Sequence, residues 1–430
     1  MDIKVQGNQT ISGVLTPSGS KNSAVAMVPA SILFDEPVIF ENVPDITDVV
    51  RLTGILEKLG SKITWDKKAR TLKIDNSSLR FENLDSEDLG TMRGTSLLWG
   101  PMLARFGKVN FRELPGGCTL GFRTLSAHYE AFRALGVSVR ETQTSANMDI
   151  KKASPASVLL SEMSPTATEN VVMLATGIPG KTAIKGAASE PQVQDLCRFL
   201  IKCGAKIHGV GSNILTVEGG RVLRPKRHRL LFDHYEAATF LALAAATGGQ
   251  MRVMGVEKGI FEPIGQVFSR FGINVRYDKK SAFITNGTTP KIGDFEEYKA
   301  MSIKAQPWPA LPVDTLPLFI PLALAAPRGQ VVFHNWMYDA GLFWTSELLK
   351  LGANVIMADP HRVIVTAGNA LYGAKIEAPY IIRAVVALAM TAMIARGEST
   401  ILNADALYRG HPHFAENLRR MGAKIEEIKN

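Results

Sequence analysis

One pattern recurs six times along the 430 residues and constrains the fold more than any other feature: an apolar helical segment that ends in an apolar residue and glycine. The first three occurrences are Ile55-Leu56-Glu57-Lys58-Leu59-Gly60, Phe132-Arg133-Ala134-Leu135-Gly136 and Leu200-Ile201-Lys202-Cys203-Gly204. Phe268-Ser269-Arg270-Phe271-Gly272, Leu348-Leu349-Lys350-Leu351-Gly352 and Leu418-Arg419-Arg420-Met421-Gly422 complete the set. Glycine is the residue a helix needs at a left-handed stop. Short alternating segments follow it, such as Lys206-Ile207-His208, Asn274-Val275-Arg276 and Lys424-Ile425-Glu426, and these read as half-buried strands. Successive glycines lie 76, 68, 68, 80 and 70 residues apart. That period exceeds those of the common solenoids. It leaves room for a small sheet and about two helices per unit, so six units make two α/β domains of three units each.

Between the glycines, residues 93–105, 169–175, 236–246, 314–326 and 383–395 read as helices, most opening on a charged residue and continuing almost wholly apolar. A helix apolar on all sides belongs in a core, and its first turn presents free amides and the positive dipole end to an anion. Residues 221–229 carry Arg221, Arg224, Lys226, Arg227 and Arg229 around Pro225 and read as a polar crossover.

Composition removes several classes of function. The start, Met1-Asp2-Ile3-Lys4-Val5-Gln6-Gly7, has no signal-peptide pattern, and the longest apolar run, residues 384–395, is too short to span a bilayer. Three cysteines (Cys118, Cys197 and Cys203) give neither a disulfide framework nor metal-ligand spacing, which suits a reducing cytoplasm. Cys197 and Cys203 fall in apolar sequence and read as core residues. The net charge of +9 is spread along the chain without a basic stripe interleaved with aromatics. It therefore favours a small anionic substrate over nucleic acid.

The run Pro115-Gly116-Gly117-Cys118-Thr119-Leu120-Gly121-Phe122-Arg123 places a thiol among three glycines. Glycines allow positive φ and close approach to a ligand, and neighbouring cations favour a thiolate that acts as acid, base or nucleophile. Taken alone, the run reads equally as a surface turn with an incidental cysteine. Lys21 alone reads as a solvated charge and Asp314 as a helix N-terminal residue. Arg383 differs, because an arginine inside an apolar segment needs a partner.

In their order along six units, these segments resemble the enolpyruvyl transferases over essentially the whole chain, from Val5 to Ile428. The resemblance implies a two-domain inside-out α/β barrel of six βαβαββ-type repeats, three per domain. Residues 21–227 would form the first domain, with the cysteine loop as a lid; residues 1–20 and 228–430 would form the second, with the active site in the cleft between them. Gly19-Ser20-Lys21-Asn22 resembles the motif whose lysine holds phosphoenolpyruvate and whose asparagine faces the acceptor. Met92-Arg93-Gly94 and the cysteine loop are similar to family segments that place Arg93 and Arg123 on the phosphate and Cys118 as the acid. Thr168-Glu169-Asn170 and Glu190-Pro191 match structural signatures. Pro312-Val313-Asp314 resembles the segment whose aspartate meets the reacting hydroxyl. Arg383 and Arg409 match arginines around the phosphoenolpyruvate carboxylate.

By this resemblance Lys21, Cys118 and Asp314 are catalytic, and Lys21, Arg93, Arg123, Arg383 and Arg409 hold phosphoenolpyruvate. Asn22, Arg123, His128, Ser164, Thr166 and Asp314 bind the acceptor. The implied reaction transfers the 1-carboxyvinyl group of phosphoenolpyruvate to a hydroxyl of a uridine nucleotide of the UDP-N-acetylglucosamine type and releases phosphate. Its product would be a peptidoglycan precursor, made with no metal or cofactor and with no nucleic-acid or membrane partner. The sequence departs from the family around the acceptor. Glu162 stands in place of a lysine, Thr166 of a glycine, Gly341 of an arginine and Ile381 of an aspartate, and Thr124-Leu125-Ser126-Ala127 replaces the residues before His128. A carboxylate where a diphosphate binds is unfavourable by charge sign alone. Two alternatives therefore stand beside the main reading. One is a specialised paralogue that uses UMP or another nucleotide in nucleoside-antibiotic or other secondary metabolism. The other is a non-catalytic paralogue that binds an anion or nucleic acid.

Overall fold

The computed structural model describes residues 1–80, 92–116, 124–285, 287, 289–293 and 300–429. All six helix-stop glycines adopt the left-handed conformation, with φ of 99°, 87°, 107°, 70°, 84° and 87° at Gly60, Gly136, Gly204, Gly272, Gly352 and Gly422. An L-residue rarely adopts that conformation, so these positions require glycine, and after each of them the chain turns into a strand.

The chain divides into two compact units. One, the C-terminal unit, comprises Met1–Ser18 and Phe232–Asn430; the other, the N-terminal unit, holds the described residues between Gly19 and Leu231. Each unit has three sheets among the described residues. In the N-terminal unit, Val38–Glu41 pairs in parallel with His228–Arg229 and antiparallel with Thr71–Asp75, which then pairs antiparallel with Lys62–Asp66. Gly180–Lys185 repeats the order: parallel to Ser157–Leu159, antiparallel to Ile214–Gly219, then Lys206–His208. The remaining sheet runs Lys108–Phe111, Ala146–Ile150, Val137–Glu141, all antiparallel.

The same order recurs three times in the C-terminal unit. Met251–Met254 lies between Gly13–Leu15 in parallel and Ser281–Ile284 antiparallel, with Arg276–Tyr277 outermost. Gln330–His334 lies between Met301–Lys304 and Arg362–Thr366, with Asn354–Asp359 outermost. Glu398–Leu402 lies between Lys375–Glu377 and Asp2–Gln6, with Ile425–Ile428 outermost. In every sheet the strand after a helix-stop glycine forms the antiparallel edge. The glycine therefore punctuates a recurring sheet as well as a recurring helix.

Three of the most apolar helices are buried along nearly their whole length. All of His234–Ala246, nearly all of Ile382–Ile394 and most of Pro165–Gly177 are inaccessible to solvent. His234–Ala246 packs on strand Met251–Met254, and Ile382–Ile394 packs on Asp2–Gln6 and Glu398–Leu402. Phe319 meets Phe268 edge-on at 5.1 Å and stacks on Phe271 at 6.0 Å within that core. Each such ring stabilises by about 1.5–3 kcal/mol.

Two of the expected helices are split. Residues 93–105 form a 3₁₀ turn, Arg93–Leu98, before the α-helix Trp99–Phe106, and residues 314–326 form Val313–Leu318 before Phe319–Leu324. The cause is local. Thr95, Ser96 and Thr315 donate their hydroxyl hydrogens to carbonyls three residues back, at 2.8, 3.0 and 2.7 Å, and Pro317 has no amide hydrogen to give. Both features favour a tight i to i+3 turn over an α-helical one. Among the described residues no helix is long and apolar enough to cross a membrane.

Candidate active site

In the N-terminal unit the first group is built on helix Lys21–Ala30, capped by Ser20, whose side chain accepts from the Ser23 amide at 3.2 Å. Gly19 sets the approach: a Cβ there would stand 1.6 Å from the Asn42 carbonyl oxygen, so only glycine lets the chain pass this close. Lys21 opens the helix, and its ammonium lies 3.1 Å from Asp48 Oδ2. Asp48 is almost fully buried in the first turn of helix Thr47–Lys58. This ion pair holds the ammonium in place. Asn22, half-buried, occupies the same first turn.

Arg93 starts its 3₁₀ turn and donates to the Thr124 carbonyl at 2.7 Å. Close by, His128 is completely buried, and burial, reinforced by the Arg93 charge, pushes its pKa down to about 3. Its tautomer follows from its neighbours. Asn170 accepts from the Gly100 amide at 2.6 Å through Oδ1, which turns its Nδ2 towards His128 Nδ1 at 3.1 Å. His128 Nδ1 is therefore an acceptor, and Nε2 carries the proton towards Thr166 Oγ1 at 3.2 Å. The Thr166 hydroxyl lies 3.4 Å from Ser164 Oγ, and Ser164 caps helix Pro165–Gly177 by accepting from Ala167 at 3.3 Å. His128, Thr166 and Ser164 are thus one chain of hydrogen bonds. Both ring nitrogens of His128 are occupied by protein, so it orients the Thr166 hydroxyl. Glu162, just before this helix, is exposed.

Glu169, on the same helix, and Glu190, the N-cap of helix Pro191–Lys202, are both buried. Burial, with the Glu190 charge added, raises the Glu169 carboxyl well above the usual carboxylate range. Cys197 is fully buried and its thiol is pushed up to about 12, and Cys203 is pushed up to about 11, both chiefly by burial, as core residues require. Cys118 and Arg123 lie outside the described residues.

In the C-terminal unit, Asp314 stands in the first turn of Val313–Leu318, half-buried, and its charge acts on the buried ring of His234. Arg383 is the second residue of helix Ile382–Ile394 and only 7% exposed. Its guanidinium lies over the Tyr235 ring, 5.3 Å from the centroid, and its Nη1 donates to His411 Nε2. Among the described residues no carboxylate pairs with it. Arg409 ends the turn Ala404–Arg409, is equally buried, and stacks 5.2 Å above Tyr380. From its sequence Arg409 reads as part of an exposed polar loop; the structure buries it. A Cβ at Gly341 would lie 2.2 Å from Asn335 Nδ2, so a side chain there requires the Asn335 amide, whose oxygen accepts from the Tyr338 amide, to shift.

A buried guanidinium stacked on a ring, and hydrogen-bonded among the described residues to a neutral imidazole, keeps its full charge for an anion. A model for EPSP synthase (3-phosphoshikimate 1-carboxyvinyltransferase) matches residues 5–418. The chain belongs to the EPSP synthase family. It is therefore an enzyme, an enolpyruvyl or carboxyvinyl transferase. The UDP-N-acetylglucosamine 1-carboxyvinyltransferase of Borrelia garinii subsp. bavariensis is 36% identical over 427 residues, 99% of each chain. The enzyme of the same name from Treponema denticola is 36% identical over 431 residues, 98% of each. Among solved structures, the enolpyruvyl transferase NikO from Streptomyces tendae superposes with a TM-score of 0.86 at 20% identity, over 99% of this chain and 98% of that one. EPSP synthase from Acinetobacter baumannii gives 0.73 at 17% identity with full coverage of both. At these identities the solved structures establish a shared mixed α/β fold.

Sequence reading missed Asp48, Asn170 as the residue that sets the His128 tautomer, and the pair His411 and Glu236. Asp48 carries a signal, an acid in a helix's first turn, but that signal reads as capping. His411 lies two residues beyond Arg409 and carried no signal of its own.

Proposed function

We propose that this transferase moves the enolpyruvyl group of phosphoenolpyruvate to a hydroxyl of a uridine nucleotide, UDP-N-acetylglucosamine being the leading acceptor, with release of phosphate. Its product would be a peptidoglycan precursor. The scaffold on this reading is a six-repeat inside-out barrel, which the shared sheet order supports, and the groups of both units serve one reaction. The observation that carries the reading is Arg383, a buried cation at the start of a buried helix with no carboxylate partner among the described residues. With Arg409 it would hold the phosphoenolpyruvate carboxylate, while Lys21, Arg93 and Arg123 would hold its phosphate.

The acceptor oxygen attacks C2 of phosphoenolpyruvate and loses its proton to Asp314, while C3 gains a proton from the Cys118 thiol. The resulting tetrahedral intermediate returns a proton from C3 and expels phosphate, with the surrounding cations stabilising the developing charge. Asn22, Ser164 and Thr166 would bind the acceptor, the last oriented by His128.

A second reading, UMP or another nucleotide as acceptor, is favoured by the exposed Glu162 carboxylate and by glycine standing at position 341 in place of an arginine. Phosphate release from phosphoenolpyruvate is measured with UDP-N-acetylglucosamine, UMP and shikimate 3-phosphate, using the wild type and Glu162→Lys. Turnover with UDP-N-acetylglucosamine, and a several-fold lower KM for it in Glu162→Lys, is the expected result. Turnover with UMP alone establishes the second reading, and no release with any acceptor overturns both.

A further inference from the structure

The geometry points to His411 and Glu236 as a positioning pair for Arg383, an imidazole and a carboxylate that fix the guanidinium without neutralising it. The inference rests on the reading of Arg383 as the group that binds the phosphoenolpyruvate carboxylate. Arginine has only donors, so the contact from Arg383 Nη1 makes His411 Nε2 the acceptor and puts the ring proton on Nδ1. Nδ1 faces Glu236 Oε1 at 3.9 Å, and Glu236 Oε2 accepts the Ser18 amide at 2.6 Å. His411 and Glu236 are both completely buried. The result is an ordered row: backbone amide, carboxylate, imidazole, guanidinium.

The row has a physical purpose. Direct pairing of Glu236 with Arg383 would cancel the charge and occupy the donor fork that a substrate carboxylate needs. With a neutral imidazole between them, the guanidinium keeps its charge and its remaining donors, while the carboxylate, 3.9 Å from Nδ1 and too far for a hydrogen bond, favours the proton on that nitrogen by its charge alone. The same arrangement of an outer carboxylate orienting an imidazole serves in metal and catalytic sites. The charged groups acting on His411 are Arg383, Glu236 and Asp233, and burial and Arg383 together hold its pKa below the ordinary value, which keeps Nε2 free to accept. Helix His234–Ala246 supplies both supports, since Tyr235 stacks on the guanidinium and Glu236 backs the imidazole. His411 also follows Arg409 by two residues and is tied into the same turn by its amide bond to the Leu407 carbonyl at 2.7 Å. Its contact with Arg383 therefore sets the spacing of the two arginines.

The test uses His411→Phe, His411→Gln and Glu236→Gln in the full chain, with steady-state phosphate release and long-range proton–nitrogen NMR of the histidine rings. His411→Phe is expected to raise KM for phosphoenolpyruvate at least tenfold while leaving KM for the acceptor unchanged. His411→Gln, whose amide oxygen accepts from Arg383, recovers most of that loss, and Glu236→Gln falls between. The spectrum of the wild type shows His411 as the Nδ1–H tautomer at neutral pH. An unchanged phosphoenolpyruvate KM in His411→Phe, equal losses in the Phe and Gln variants, or an Nε2–H tautomer each overturn the inference. A wild type that releases no phosphate but shows the Nδ1–H tautomer sinks the functional reading and leaves the row intact.

Discussion

Lys21 and Arg383 are both largely buried cations at the start of buried helices, yet the protein treats them in opposite ways. The ammonium of Lys21 is 3.1 Å from the buried carboxylate of Asp48, so its charge is balanced within the fold. The guanidinium of Arg383 meets a tyrosine face and a neutral imidazole, and among the described residues no carboxylate pairs with it; that of Glu236 lies one imidazole further back. A balanced cation costs the fold little and is fixed in space. An unbalanced one is a standing cost that an anionic ligand removes. The N-terminal unit thus holds a cation paired within the fold, and the C-terminal unit holds one with no carboxylate partner among the described residues.

The largest effect that bears on this contrast is expected from Arg383→Met. Turnover with phosphoenolpyruvate should fall by about 1,000-fold, the scale seen when a group that stabilises transition-state charge is removed, while the urea midpoint stays equal or rises because a buried unpaired charge has gone. A loss of stability parallel to the loss of activity would show that Arg383 is balanced after all. Asp48→Ala should do the reverse. Removing one partner of a buried pair leaves Lys21 uncompensated, and stability drops by about 2–3 kcal/mol in chemical denaturation. A change below about 0.5 kcal/mol would place the pair among ordinary surface contacts.

The last effect is a pH dependence within the N-terminal unit, spread over several pH units. His128 has a folded pKa of about 3 against 6.5 when unfolded, so the unfolded chain binds the extra proton between those values. Its contribution to stability is complete above pH 6.5 and is lost as pH falls towards 3, at up to about 1.4 kcal/mol per unit. Glu169 acts in the opposite sense: its raised folded pKa gives stability that is complete below about 4.5 and is lost as pH rises through the folded value. Urea midpoints across pH 4 to 9 should therefore fall on both sides, and Glu169→Gln should abolish the alkaline slope alone. An unchanged alkaline limb in that variant would mean that the buried carboxyl is not protonated.

The chain order of the motifs and the six helix stops are legible in the sequence because they depend on local rules. A left-handed stop selects glycine, and a helix in a core is apolar on every face. These rules located Gly60, Gly136, Gly204, Gly272, Gly352 and Gly422, and they marked Arg383 as a cation in need of a partner. They did not show that Arg93 and Asp314 stand in the first turn of 3₁₀ segments, since the hydroxyl-to-carbonyl bonds that tighten those segments compete with the helix only once the chain is placed. Nor did they show that Arg409 is buried.

What the sequence by itself determined is the repeating α/β architecture and that Cys197 and Cys203 are core residues. Only the tertiary structure decided how each charge is held: Asp48 on Lys21, the Asn170 amide that sets the His128 tautomer, and the row of Glu236 and His411 behind Arg383. Those partners are 27, 42, 147 and 28 residues away in the chain. Periodicity reports the face on which a side chain lies, whereas the balance of a buried charge depends on which distant atom is packed against it.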